Sequence, residues 1–156
     1  MSFETITLVE DTPTIQLVRQ FLELLKEGDP PSLIQLSKAL DKLAVAYHET
    51  PVGDPTEDDV DCPRDDWKAR YKTLASRFPD LGYYGVADPL EVPNTEPMTG
   101  DAIDDLADIA GDLEEVLWRF ERDGADEGHW YFRMLFEIHW GRHLRELQLY
   151  LHAKLT

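Results

Sequence analysis

The sequence predicts an all-α fold, a single-domain bundle of about five helices with a long Pro/Gly-rich ordered loop. Apolar residues recur at the helical period of 3.6 through most of the chain. Proline, glycine and small polar residues stand where those periodic stretches begin and end. At 156 residues and 42% hydrophobic content, residues 1–156 make one domain, large enough to bury a core without covalent staples.

The first helix is read in EDTPTIQLVRQFLELLKEGD. Pro13 takes a first helical position, Thr12 can cap it and Gly28 stops it. Leu17, Val18, Phe21, Leu24 and Leu25 then share a face. The second helix is expected to start in the same way at Asp29 and Pro30 and to end near His48, with Leu33, Leu36, Leu40, Leu43 and Tyr47 as its stripe. An acidic connector, DPTEDDVD, leads to a third helix in PRDDWKARYKTLASRF, with Trp67, Tyr71, Leu74 and Phe78 on one side.

Residues 79–101, PDLGYYGVADPLEVPNTEPMTGD, hold too many prolines and glycines for a long helix. Their apolar content (Leu81, Tyr83, Tyr84, Val86, Leu90) predicts an ordered loop packed on the bundle. The fourth helix spans about Asp101 to Arg122 and buries Leu106, Ile109, Leu113, Val116 and Phe120, with Asp101, Asp104 and Asp105 at its positive end. The fifth spans about Asp126 to Lys154. Gly124 separates the two, and so short a connection predicts an antiparallel hairpin. The opening FETITLV reads as an arm.

Composition narrows the function classes. The net charge of −17 repels phosphate backbones and anionic membrane surfaces, so the expectation is no nucleic acid and no membrane as partner. A basic protein partner fits that field. Cys62 is the sole cysteine, which rules out an internal disulfide and suits a reducing cytoplasm. No signal-peptide pattern and no run of about 18 apolar residues occurs, again consistent with a cytoplasmic protein.

The chemistry-bearing residues cluster late in the chain. In EIHWGRH, His139 and His143 stand four residues apart, the spacing that stacks two imidazoles within reach of one ion. A wheel of 100° per residue puts them at the centre of the apolar face, among Phe132, Leu135, Phe136, Leu147 and Tyr150. Buried imidazoles need polar partners, and GDAIDDLADIAGDLEEV on the preceding helix is the dense source of carboxylates. Most of that acidic stripe should face water, but Asp105 and Asp112 lie near the core boundary with Asp108 between them. Two histidines with one or two of these carboxylates would suit Zn, Mn or Fe. Asp–His and Asp–Arg pairs between neighbouring helices would need no metal, so no cofactor is required by the sequence.

The strong zinc-protease form HExxH is absent because Trp140 stands where the base would be, and EIH lacks the spacing of the di-iron motif. There is no phosphate-binding glycine loop and no nucleophile elbow. Tyr83, Tyr84 and Trp140 are candidate aromatic anchors for an interaction surface.

RFPDLGYYGVADPL, GDAIDDLADIAGDLEEVLWRFE and HWYFRMLFEIHWGRHLREL, in that order, resemble the bacterial DUF5063 family of uncharacterised proteins. The likeness is closest over the second half of the chain and implies an α-helical domain, with no activity attached. Gly85, where the family's pattern leads us to expect tryptophan, and Ala110-Gly111, in place of a bulkier pair, depart from it; they imply looser packing or open space between the loop and the fourth helix.

The residues support two functional expectations. The first is a small acidic cytoplasmic protein acting through protein–protein interaction. The alternative is a metal-binding protein or metal-dependent hydrolase using His139 and His143 with Asp105, Asp108 and Asp112.

Overall fold

In the computed structural model, which describes residues 9–58 and 60–156, helices carry most of the chain. Nearly all of the expected N-terminal arm lies outside the described residues. Helix α1 (Pro13–Lys26) starts at Thr12, whose hydroxyl accepts the Ile15 N–H, and buries Ile15, Val18, Phe21 and Leu25. Helix α2 (Leu33–Glu49) begins later than Asp29–Pro30. A capping box in which Ser32 and Gln35 satisfy each other's backbone N–H fixes the start instead. Helix α3 (Trp67–Arg77) is capped by Asp66; it buries Leu74 and, just beyond its end, Phe78, while Trp67 stays at the surface.

Residues 79–101 contain two strands that the sequence pattern does not announce. β1 (Tyr83–Val86) and β2 (Met98–Asp101) pair antiparallel, Tyr83 opposite Asp101 and Val86 opposite Met98. The reason sits at Gly100. A Cβ there would fall 2.6 Å from the Tyr84 ring, so the missing side chain lets Tyr84 cross the hairpin. The Tyr84 ring then stacks on Tyr150 with centroids 4.8 Å apart, which ties the hairpin to the last helix.

Helix α4 (Ala102–Asp123) is the central element and packs against α1, α3 and both parts of the C-terminal helix. Asp101 caps it by accepting the Ile103 and Asp104 N–H groups. All five apolar positions expected on its inner face are buried. Gly124, with φ 95°, makes the turn into α5 (Ala125–Leu135). The chain runs back along α4, since Gly128 meets Phe120, His139 meets Asp112 and His143 meets Asp105.

The expected fifth helix is interrupted. A π-helical turn (Phe136–Trp140) separates α5 from α6 (Gly141–Leu155), with Gly141 N–H bonded to the Phe136 carbonyl. Gly141 makes this wide turn possible, because a Cβ at that position would approach the Phe136 carbonyl to 2.4 Å. The extra residue rotates the helix beyond it. Trp140 takes the centre of the core at 0% exposure against Phe132 and Phe136, and the two histidines move to the core's edge rather than its middle. Among the described residues no helix is long and apolar enough to cross a membrane.

Leu113, fully buried on α4, should cost about 3 kcal/mol when cut to Ala. Leu149→Ala, at a position 70% exposed, should stay within about 0.5 kcal/mol. Gly141→Ala should destabilise by about 1–3 kcal/mol through the forced shift at Phe136. Urea unfolding of the three variants checks the order.

Candidate functional site

Helix α4 presents an acidic residue at almost every turn, and the structure divides them. Asp105 and Asp112 are buried at 2% and 1% exposure, and Glu115 is buried with them. Asp104 and Asp108 are partly exposed. Asp105 and Asp112 are the two members expected at the core boundary, and Glu115 is the one for which the expectation of solvent is corrected. Burying a carboxylate demands hydrogen-bond or cationic partners, and each of these three has them.

His143 Nδ1 lies 2.7 Å from Asp105 Oδ1, and His139 Nδ1 lies 2.6 Å from Asp112 Oδ2. Both rings thus spend Nδ1 on a buried carboxylate of α4. Their other nitrogens converge on one atom, with His143 Nε2 3.1 Å and His139 Nε2 3.9 Å from Asp108 Oδ2. The ring centroids are 4.9 Å apart at 80°. All five residues that the sequence offered as metal ligands meet here. They fall into two roles, with Asp105 and Asp112 behind the rings and Asp108 in front of them.

Each carboxylate is itself held. The Tyr84 hydroxyl donates to Asp105 Oδ2, and the Trp67 indole donates to Asp108 Oδ1 at 3.3 Å. Arg64 bridges Asp112 at 3.1 Å and Glu115 at 2.6 Å. Glu115 also accepts from Arg119, whose guanidinium lies 4.2 Å from the Tyr131 ring centroid. Arg64 is the partner that sequence reasoning missed. It sits in the connector before α3, where no periodic signal marks it. Arg70 and Arg64 also occupy the room left by Gly111, with guanidinium nitrogens 3.0 and 3.3 Å from where its Cβ would be, so the expected gap on that side is filled.

The arrangement poses an electrostatic problem with two solutions. A neutral imidazole that donates from Nδ1 has a lone pair on Nε2, and at 3.1 Å that lone pair would face the negative Asp108 oxygen. Either a proton sits on Nε2, in an imidazolium or in a neutral ring whose Nδ1 accepts from a protonated aspartate, or a cation lies between the two. For His143 burial pulls the pKa down, but the Asp105 hydrogen bond and the charges of Asp108, Asp105 and Asp104 outweigh it and raise it above the ordinary 6.5. Burial raises Asp105 despite its bonds from His143 and Tyr84.

A groove of about 390 Å³ opens beside the rings. Its walls include Val86, Met98 and Ile138, with Asp104, Arg142 and Glu146 as polar members. The interaction candidates separate. Tyr83 is exposed at 72%, whereas Tyr84 is partly buried on Asp105 and Tyr150. Trp140 is a correction: it is a core residue, turned inward by the π-helical turn, and offers no surface to a partner.

A family model described as a domain of unknown function (DUF5063) matches residues 14–155. The crystal structure of protein BF1032 from Bacteroides fragilis is similar at 17% identity, covering 89% of this chain and 87% of that one with a TM-score of 0.63. At that identity the likeness speaks for the fold alone. None of the curated proteins compared with the chain matches it.

The protonation balance gives a pH test on chelator-treated protein. A folded-state value raised above the unfolded 6.5 means that His143 contributes its full stability below about pH 6.5. That contribution disappears as pH climbs through the folded value. Asp105 works in the same direction at lower pH, because its ionisation above a raised folded value costs stability. Urea unfolding free energy should thus fall as pH rises above about 6.5, and His143→Gln should flatten that slope. A slope unchanged in the variant would remove His143 as its source.

Proposed function

This chain belongs to the DUF5063 family, and from its site geometry we propose that it is a divalent-metal protein in which His139, His143 and Asp108 hold the ion. One observation carries the reading: both histidines have Nδ1 on a buried carboxylate and keep Nε2 within 4 Å of the same oxygen of a third carboxylate. A metal-binding histidine commonly donates its second N–H to a carboxylate or carbonyl, which fixes the tautomer and raises the basicity of the ligating nitrogen. Asp105 and Asp112 stand where such groups stand.

Distances support it. Two ligand atoms each about 2.1 Å from an ion, at angles between octahedral and tetrahedral, lie about 3.0–3.4 Å apart. The 3.1 Å between His143 Nε2 and Asp108 Oδ2 falls in that range, and the 3.9 Å from His139 Nε2 lies outside it and would have to shorten as the ion binds. The His139 side chain is 42% exposed, which leaves the far side of the ion open towards the groove. Two imidazoles and one carboxylate suit Zn, Mn or Fe. When bound, such an ion acts as a Lewis acid and lowers the pKa of coordinated water, which is the chemistry of a metal-dependent hydrolase.

A second set, Asp104 with Asp105 and His143, also lies within 4.8 Å. It is the weaker candidate, since Asp105 and His143 Nδ1 are already bonded to each other and Tyr84 occupies the remaining Asp105 oxygen. The reading in which the acidic chain acts through a basic protein partner in the cytoplasm keeps the net charge of −17 and the exposed Tyr83 as its supports.

Calorimetric titration of metal-free protein with Zn or Mn should give one ion per chain. It should also release protons, because the ion displaces those that the histidines hold against Asp108. Repeating the titration in buffers of different ionisation enthalpy counts them. His139→Ala and Asp108→Asn should abolish tight binding, and Asp105→Asn or Asp112→Asn should weaken it about 10–100-fold. Binding that survives Asp108→Asn and His139→Ala together, or none in the wild type, would contradict the proposal.

A further inference from the structure

We propose that the groove beside the histidines takes an organic ligand that is cationic at its inner end and apolar along its stem, and that Asp104 receives the cationic group. The inference rests on the metal reading above, because the groove opens onto the rings that would hold the ion. At about 390 Å³ it has room for a small organic molecule rather than a water cluster.

The charge balance selects the ligand. Asp101, Asp104, Asp105 and Glu146 line the groove and Asp108 lies in front of the rings, while Arg142 is the permanently charged cation among the lining residues. Arg142 is already committed to Glu146, its Nε 2.9 Å from Oε1. A divalent ion would neutralise two of the remaining carboxylates and leave the groove negative. A phosphate ester or carboxylate would enter against that field.

Asp104 is where the residual charge is least satisfied. Asp101 accepts from the Tyr71 hydroxyl and from the start of α4, and Asp105 accepts from Tyr84 and His143. The Asp104 carboxylate makes no hydrogen bond or ion pair among the described residues. Its opposing charge is His143, whose Nε2 a bound ion would claim. Val86, Met98 and Ile138 supply the apolar walls, and Met98 and Ile138 are more than half exposed at its lip.

Butylguanidine tests this, because guanidinium stays charged and carries no lone pair free for the metal. Its binding is compared with that of pentanoate and methyl phosphate at equal ionic strength, with and without Zn, by methyl shifts of Met98 and Ile138. The expected result in the Zn-loaded protein is at least tenfold tighter binding of butylguanidine than of either anion. Asp104→Asn and Asp104→Ser should each erase that preference while still taking up one Zn. Equal or tighter binding of an anion, or a preference that survives both substitutions, would overturn the proposal. If no Zn binds, the metal reading falls alone, and the same comparison without Zn still decides the groove.

Discussion

The structure turns on the contact between α4 and the C-terminal helix, where two buried aspartates meet two imidazoles. Asp105 and Asp112 are two helical turns apart on α4, and His143 and His139 meet them in reverse order. Neither carboxylate could be buried without a partner, and neither histidine could keep both nitrogens satisfied by apolar neighbours. That contact fixes the sliding register of the hairpin. It also brings the remaining nitrogens to within 4 Å of Asp108, so the same pairs that seat the helices build the site. Tyr84 from the β-hairpin and Arg64 from the segment just before α3 close the back of the two pairs, which makes residues distant in sequence answerable to one site.

Much of this was legible in the sequence because it depends on local pattern. Pro13 with Thr12 marked the start of α1, Gly124 marked the turn of the hairpin, and the apolar positions of α4 fell on one face. The i, i+4 histidines and the two boundary aspartates came from the same periodicity. The features that escaped it depend on contacts between distant segments or on a break in period. The π-helical turn shifts the phase of the wheel after Phe136, so Trp140, offered as an interaction residue, is central in the core while the histidines sit at its edge. The two strands depend on Gly100 yielding space to Tyr84 across the hairpin, which no propensity reports. Arg64 has no helical neighbours to give its direction away, and Glu115 looked solvated because its two arginine partners were not in view.

The π-helical turn also places the site in the mechanics of the fold. A regular helix through residues 136–140 would carry His139 and His143 in a uniform α register. The wide turn instead buries the largest aromatic of the segment beneath them and leaves one edge of each ring beside the groove. Departures of this kind cost local hydrogen-bond geometry and recur at functional sites. Here the departure separates packing from chemistry within five residues: Trp140 stabilises the core, His139 faces the cavity, and Gly141 permits both.

X-ray absorption spectroscopy at the Zn edge of the loaded protein tests the central claim most directly. The expected first shell has two imidazole nitrogens and one carboxylate oxygen at about 2.0–2.1 Å, completed by a light solvent atom, with imidazole outer-shell scattering that disappears in His139→Ala,His143→Ala. A shell of oxygen atoms alone, without imidazole scattering and unchanged in that double variant, would contradict it. The histidines would then be a proton-holding clamp between carboxylates.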